Sequence, residues 1–571
     1  MRRFALGRVS IALVVSIGAA PVPPPAARVV DAVFADLTQP GSPGCALGVY
    51  RNGAIVYAKG YGLANVEEKV SITPQSVFNV GSVSKQFTAA SILLLEQAGR
   101  LRLDGDVRKY VPELPDYAGR GYGSITLRQL LNHTSGLRDY VSLFLLSGVH
   151  IDNVTTDAEA LGVIAHQRDL NFAPGSDWEY SNSGYVLLSH VVKRVSGKSL
   201  KDFAAENLFR PLGMAHTAFR DDHTSLVAHR ALAYDRNEKG DYVLSVSYGE
   251  ENGDGMVQTT LADLQKWDEN FYSGRIGGRR LVDELEAPGT LNDGRTIQYA
   301  KGLFVDAYRG LRLIWHSGGS GGYRAALYRF PDQHFSLACL CNLQTVNRSK
   351  RLRALADLYL AGAVRARPES GTAAVSPEGL RALTGCYRDP KTLEVWRVEL
   401  RDAKLWARYE GRPVELRPLG PLEFELEDPT IARVVFQPAQ GAGRSRLMVE
   451  RMLNFPATLE AVEEVRPAAP ELAVYAGDYW SDELRVTYRL AIREDALWLM
   501  EVIGADGIVH AGALPSSAMH PVLRDEFDLE GGPLIFSFAR DEKGGVSGFT
   551  LNGFLERGMR FVRRPVPEER P

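Results

Sequence analysis

Two textures of hydrophobic patterning divide the chain. Up to about residue 365, short apolar runs that read as strands bracket a long middle with helical spacing. Cys45 to Tyr50 and Ala54 to Gly60 read as paired strands, since Asn52-Gly53 between them supplies the positive φ of a tight hairpin. A helix is expected over Ala27 to Leu37, and another from Ser82 to near Gly99. Shorter helices follow at Ile125 to Asn132, Tyr185 to Val195 (ended by Gly197), Leu200 to Leu208 (halted at Pro211-Leu-Gly) and Leu261 to Tyr272, the last capped by Thr260. Strands return at Gly302 to Ala307, Leu311 to His316, Ala325 to Phe330 and Phe335 to Leu340, before a helix over Ser349 to Ala363. This order predicts an α/β layer fold: an antiparallel sheet flanked by helices, with a helical subdomain inserted.

After a Pro/Ser/Gly linker at 366–375 the chain changes to short alternating strands and turns, and it repeats itself. Gly385 and Gly477, Tyr387 and Tyr479, and Leu405-Trp406 and Leu497-Trp498 all stand 92 residues apart. Glu423-Phe424 and Glu526-Phe527 stand 103 apart, so the second copy carries about eleven extra residues, around 501–520. Each copy is long enough for a small antiparallel, lipocalin-like barrel of roughly eight strands. Two such domains are expected, at 376–466 and 470–566, behind a first domain at 28–365.

Composition changes little of this. The chain has 571 residues, 45% of them apolar, and a net charge of −3, which leaves no basic footprint for nucleic acid. Residues 1–27 read as a signal peptide with a Pro-rich leader. Arg2, Arg3 and Arg8 precede an apolar run from Val9 to Ala20 that is too short to span a bilayer. The expected location is therefore periplasmic or secreted. No later stretch reads as a membrane span. The four cysteines, Cys45, Cys339, Cys341 and Cys386, lack metal-ligand spacing and read as small buried residues, though export would permit a disulfide. His133, His316 and His334 are scattered, and no dinucleotide or phosphate loop is present, so no metal or cofactor is expected.

Three stretches carry candidate chemistry. Ser82 and Lys85 lie three positions apart at a helix start, where the amine can reach the hydroxyl and the helix N-terminus favours negative charge. Tyr180 and Asn182 form Y-x-N just before a helix. There the Tyr can shuttle a proton if cations lower its pKa, and the Asn amide can hold a substrate carbonyl or fix the Lys. His316 opens His-Ser-Gly-Gly, in which Gly318 and Gly319 let a substrate lie close to an edge strand with an N–H exposed as an oxyanion donor. Each is bland alone: a capped helix, an aromatic turn, a flexible glycine loop.

In this order and spacing they resemble the serine penicillin-recognising hydrolases, which include class C β-lactamases, D-Ala-D-Ala carboxypeptidases, D-aminopeptidases and related esterases. Asn132-His-Thr-Ser-Gly-Leu137 and Phe172-Ala-Pro-Gly175 are similar to stretches around the pocket in the class C-like branch, and the resemblance covers about residues 28–365. It implies Ser82 as acylated nucleophile, Lys85 as its proton acceptor or electrostatic partner, Tyr180 as relay to the leaving group and Asn182 as substrate contact. The N–H groups of Ser82 and Gly319 become the oxyanion hole. His316 departs from the Lys of K-T-G. Neutral His gives no fixed charge for a substrate carboxylate, which points away from carboxypeptidases and efficient β-lactamases.

The appended barrels are similar to the three-domain plan of D-aminopeptidases. In those enzymes a barrel loop narrows the active site, and the extra residues near 501–520 are a candidate for that loop. The expected activity is hydrolysis of amides in small peptides containing D-residues, including cell-wall-derived peptides. An esterase or weak β-lactamase on the same site, and a non-catalytic penicillin-recognising binding protein, are the alternatives.

Overall fold

The computed structural model of the chain describes residues 25–565, apart from 151, 367–374, 410, 427–430, 440–443, 452–454, 511–513, 531 and 554. The leader reading and most of the linker lie outside the described residues.

Six antiparallel strands form the first domain's sheet, in the order Phe304–Tyr308, Leu311–Ser320, Tyr323–Phe330, Phe335–Cys341, Cys45–Arg51, Ala54–Tyr61. The chain's start and the domain's end thus meet at the centre of the sheet, where Cys45 pairs with Cys341 and Tyr50 with Ser336. Side chains alternate between two cores, as the period of a strand requires. Ala46, Tyr50, Ala325, Leu327, Ala338 and Leu340 face the core shared with the helices Lys85–Gln97 and Leu261–Ser273. Leu47, Val49, Ala326, Tyr328, Leu337 and Cys339 face Leu352, Leu355 and Ala356 of the helix Arg348–Tyr359. The Asn52-Gly53 turn has φ of +50° and +74°, as its residues demand.

Several boundaries differ from the sequence reading for identifiable reasons. The first helix stops at Ala32 and resumes only as a 3-10 turn, Ala35–Leu37. The helix begun at Leu200 runs through Pro211 to Leu212, because a π turn over Ala205–Phe209 widens the backbone where the proline ring would otherwise meet a carbonyl. It ends at Gly213, whose φ is +72°. The cysteines are not all free: Cys45 and Cys341 form a disulfide across the central strand pair, while Cys339 and Cys386 remain buried thiols.

The repeat becomes two closed eight-stranded antiparallel barrels in up-and-down order, Gly385–Arg388 to Ala457–Val462 and Gly477–Ser481 to Glu556–Arg563. Among the described residues no helix is long and apolar enough to cross a membrane.

Candidate active site

Ser82 lies in a 3-10 turn, Gly81–Ser84, that leads straight into the helix Lys85–Gln97. This turn is pressed against the strand Leu311–Ser320, and glycines make the approach possible. A Cβ on Gly318 would stand 2.0 Å from the Val80 carbonyl oxygen and 2.7 Å from Ser82 N. One on Gly81, where φ is +51°, would stand 2.6 Å from Gly319 N. Pairing of this strand with Phe304–Tyr308 ends at Trp315, so the segment from His316 to Ser320 is open on the side of Ser82.

Lys85 is fully buried and its ammonium is held by three acceptors: Ser82 Oγ at 3.0 Å, Asn182 Oδ1 at 2.7 Å and the Asp254 carbonyl oxygen at 2.8 Å. Burial lowers its pKa to about 8, against the opposing pull of Asp254 and Asp139. Its Nζ also lies 4.8 Å from the centre of the Tyr180 ring. The Tyr180 hydroxyl is turned toward Ser82 without reaching a well-formed hydrogen bond. Burial raises its pKa well above 10, opposite to the lowering considered from sequence. Tyr180 is therefore a neutral phenol here, and any proton it moves passes through an O–H group.

Asn182 is the first residue of the helix Asn182–Ser196. Its side-chain oxygen fixes Lys85, which leaves the amide NH₂ for a ligand. Its main-chain N–H donates to Asp139 Oδ2 at 2.5 Å, and Asp139 Oδ1 caps the helix Tyr140–Leu146 by accepting from the N–H groups of Val141 and Ser142. One buried carboxylate thus ties together the starts of two helices. Sequence reading missed Asp139; the capping position before Tyr140 was its only local signal.

His316 is also buried. Its Nδ1 donates to the Ser317 carbonyl oxygen at 2.6 Å, which makes Nε2 the acceptor for the Tyr299 hydroxyl at 3.1 Å. Burial, reinforced by the charge of Lys85, lowers its pKa to about 3. The imidazole is neutral, and both its nitrogens are engaged within the protein. His133, Tyr180 and Tyr299 cluster around the same spot in tilted and edge-on contacts, with ring centres 4.2 to 6.0 Å apart. Tyr299 went unnoticed in the sequence because nothing near it marks a site.

In front of Ser82 opens a cavity of about 550 Å³, a size that suits a small ligand. Ser82, Asn182 and Gly319 line it, with Tyr140, Phe144 and Met256 as apolar wall and Glu251, Asp254, Arg324 and Arg348 as charged wall. Lys85, Tyr180, His316 and Gly318 stand behind this surface. The extra segment of the second barrel does not line the cavity among the described residues. It touches its rim instead, where His510 Nδ1 donates to the Ser147 carbonyl oxygen at 2.8 Å, next to the cavity residues Val149 and His150.

A half-buried serine hydrogen-bonded to a buried lysine at a helix start, against a glycine-rich open strand edge, defines a serine hydrolase of the penicillin-recognising type. The sequence model of the family described as Beta-lactamase matches residues 30–361, and the chain belongs to that family. Penicillin-binding protein 4* of Bacillus subtilis is 32% identical over 304 residues, covering 51% of this chain and 66% of that protein. D-aminopeptidase of Brucella melitensis is 26% identical over 534 residues, covering 91% of this chain and 96% of that protein. Among solved structures, the octameric penicillin-binding protein homologue from Pyrococcus abyssi aligns with a TM-score of 0.54 at 24% identity, over 76% of this chain and 98% of its own. The D-amino acid amidase from Ochrobactrum anthropi aligns at 0.50 and 23% identity, over 59% and 99%. The chain is a serine hydrolase of the β-lactamase family.

Proposed function

We propose that this enzyme is an exported amidohydrolase that forms an acyl-enzyme on Ser82 and cleaves amides of small peptides bearing a D-residue. The observation that carries the reading is the 3.0 Å contact between Lys85 Nζ and Ser82 Oγ, with the amine's pKa lowered to about 8. A neutral Lys85 takes the Oγ proton as Oγ bonds to the substrate carbonyl carbon. The main-chain N–H groups of Ser82 and Gly319 receive the oxyanion, worth about 3–4 kcal/mol per donor. Collapse breaks the C–N bond, and the proton returns to the leaving amine through Lys85 and the Tyr180 hydroxyl. Water then attacks the Ser82 ester over the same groups.

Two further observations favour a D-aminopeptidase over a carboxypeptidase. Neutral His316 puts no fixed charge at the position held by Lys in K-T-G, and the relative named D-aminopeptidase matches over 91% of this chain. The Cys45–Cys341 disulfide supports export, since such bonds persist in oxidising compartments.

A fluorophosphonate should label Ser82 stoichiometrically, and Ser82→Ala should abolish labelling. The labelling rate should rise with pH through about 8 as Lys85 loses its proton. Native protein that stays unlabelled refutes the mechanism. On a panel of amino-acid amides the D series should be turned over and the L series not. Turnover of p-nitrophenyl esters alone would make the enzyme an esterase.

A further inference from the structure

Arg324 and Arg348 both line the cavity in front of Ser82. Arg324 pairs across the sheet with Gly319, and its Nη1 is so close that a Cβ on Gly319 would lie 3.1 Å from it. Its guanidinium is thus fixed beside the candidate oxyanion strand. Arg324 Nη1 donates to the Gly321 and Tyr323 carbonyl oxygens, each at 2.7 Å, and Arg348 Nε donates to the Ala325 carbonyl oxygen at 3.1 Å. These contacts set the orientation of both groups without neutralising either.

No carboxylate lies within ion-pair distance of Arg324 or Arg348 among the described residues. Asp235 acts on Arg324 only electrostatically, and no carboxylate acts on Arg348. Burial, with the charge of Arg348 adding to it, holds Arg324 down to about 10, and burial holds Arg348 below its ordinary value. Two other buried arginines are paired, Arg138 with Glu483 and Arg329 with Asp268 and Glu286. The remaining N–H groups of Arg324 and Arg348 have no acceptor among the described residues, and they are not sealed from the cavity. Two oriented, half-buried guanidinium groups with open donors match the geometry of a carboxylate.

The same cavity carries Glu251 and Asp254. Burial raises them to about 7 and about 6, so both are anionic in mildly alkaline solution. A ligand with carboxylates alone would meet these acids, whereas an amino acid with a free ammonium and a side-chain carboxylate meets opposite charges at both.

We propose that Arg324 and Arg348 form a carboxylate subsite that selects an acidic side chain on the residue acylating Ser82, so that amides of D-glutamate-like or D-aspartate-like residues with a free amino group are preferred substrates. This rests on the amidohydrolase reading above and deepens it.

The test uses the full chain carrying Ser82→Ala, so that ligands bind without turnover, and compares D-glutamic acid α-amide with D-glutamine amide by calorimetry. The acid should bind roughly tenfold or more tightly, the scale of one charge-assisted bidentate contact. In Arg324→Met and in Arg348→Met the ratio should fall toward one. Arg324→Lys, which keeps the charge, should retain part of the preference, and this separates loss of charge from loss of fold. Equal affinity for the two amides, or a ratio unchanged in both methionine variants, overturns the subsite. Fluorophosphonate labelling of the native chain is read in parallel. Labelling without the binding preference removes the subsite alone; binding preference without labelling removes the hydrolytic reading alone.

Discussion

The first barrel closes around Trp396 and Tyr409, whose rings stack 4.4 Å apart, and touches the hydrolase domain from outside. Its contacts there are Phe455 against Trp178 and Arg295, and Lys391 on Asp177. The second barrel has the same strand order, but its apolar core takes in Leu143 and Leu146 from the helix Tyr140–Leu146 of the hydrolase domain. Tyr488, at its centre, donates to the Leu146 carbonyl oxygen at 2.7 Å. Glu483 accepts from Arg138 at 2.8 Å and from the N–H groups of Arg168 and Asp169. Glu556 accepts from Asp139 N at 3.2 Å, and Arg557 pairs with Glu179 at 2.7 Å.

Of these, Asp139 accepts from the Asn182 N–H and Glu179 directly precedes Tyr180. One copy of the duplicated fold therefore touches the hydrolase domain from outside, while the second packs beneath the helix Tyr140–Leu146 and against the segment before the candidate site residues Tyr180 and Asn182. The lesson is that a domain's relation to a site depends on which end of it is apolar and open, not on its fold.

Breaking the second barrel's contacts should have the largest effect. Glu483→Ala leaves Arg138, almost wholly buried, without its carboxylate, and a loss of about 3–5 kcal/mol is expected. Denaturant unfolding should show this, together with slower fluorophosphonate labelling of Ser82. Leu146→Ala opens a cavity in the shared core and should cost about 2–4 kcal/mol.

A subtler probe is Glu556. Burial and the neighbouring Asp139 raise its carboxyl well above the usual 4.5, so the folded state holds this proton more tightly than the unfolded chain does. Stability from this group is then present at low pH and lost as pH rises from about 4.5 through the raised value. Glu556→Gln should make the decline of the melting temperature between pH 5 and 8 shallower. Arg388→Ala, by contrast, breaks a part-buried pair with Glu526 between the two barrels and should cost only on the order of 1 kcal/mol. Ser82 labelling should be unchanged. A loss of labelling with Arg388→Ala as large as that with Glu483→Ala would erase the distinction between the copies.

Much of the architecture was legible because it rests on local rules. The Asn52-Gly53 hairpin, the Thr260 cap, the Gly197 stop and the repeat of Gly385 and Tyr387 at Gly477 and Tyr479 each carry their signal within a few residues. Ser82, Lys85, Tyr180 and Asn182 could be nominated together only through resemblance, since their meeting depends on chain folding over about a hundred residues. What stayed hidden is long-range and electrostatic. Asp139 looks like any helix cap, and Tyr299 like any core aromatic. Glu556 lies more than four hundred residues from the backbone N–H it accepts. The condition set on Tyr180, a pKa lowered by cations, is not met because burial, which sequence does not display, dominates and raises it.

Leu143 and Leu146 bear on how such a protein can be inherited and cut. A duplication usually leaves a spare copy, free to be lost or exchanged. Here the spare is the first barrel, whose own apolar core takes in no hydrolase-domain side chain among the described residues and which meets that domain's core through Phe455 at its edge. Removing the second would turn two core leucines into an exposed apolar patch and strand Arg138. The smallest heritable unit of this enzyme is therefore discontinuous: the hydrolase domain together with the copy farther from it along the chain.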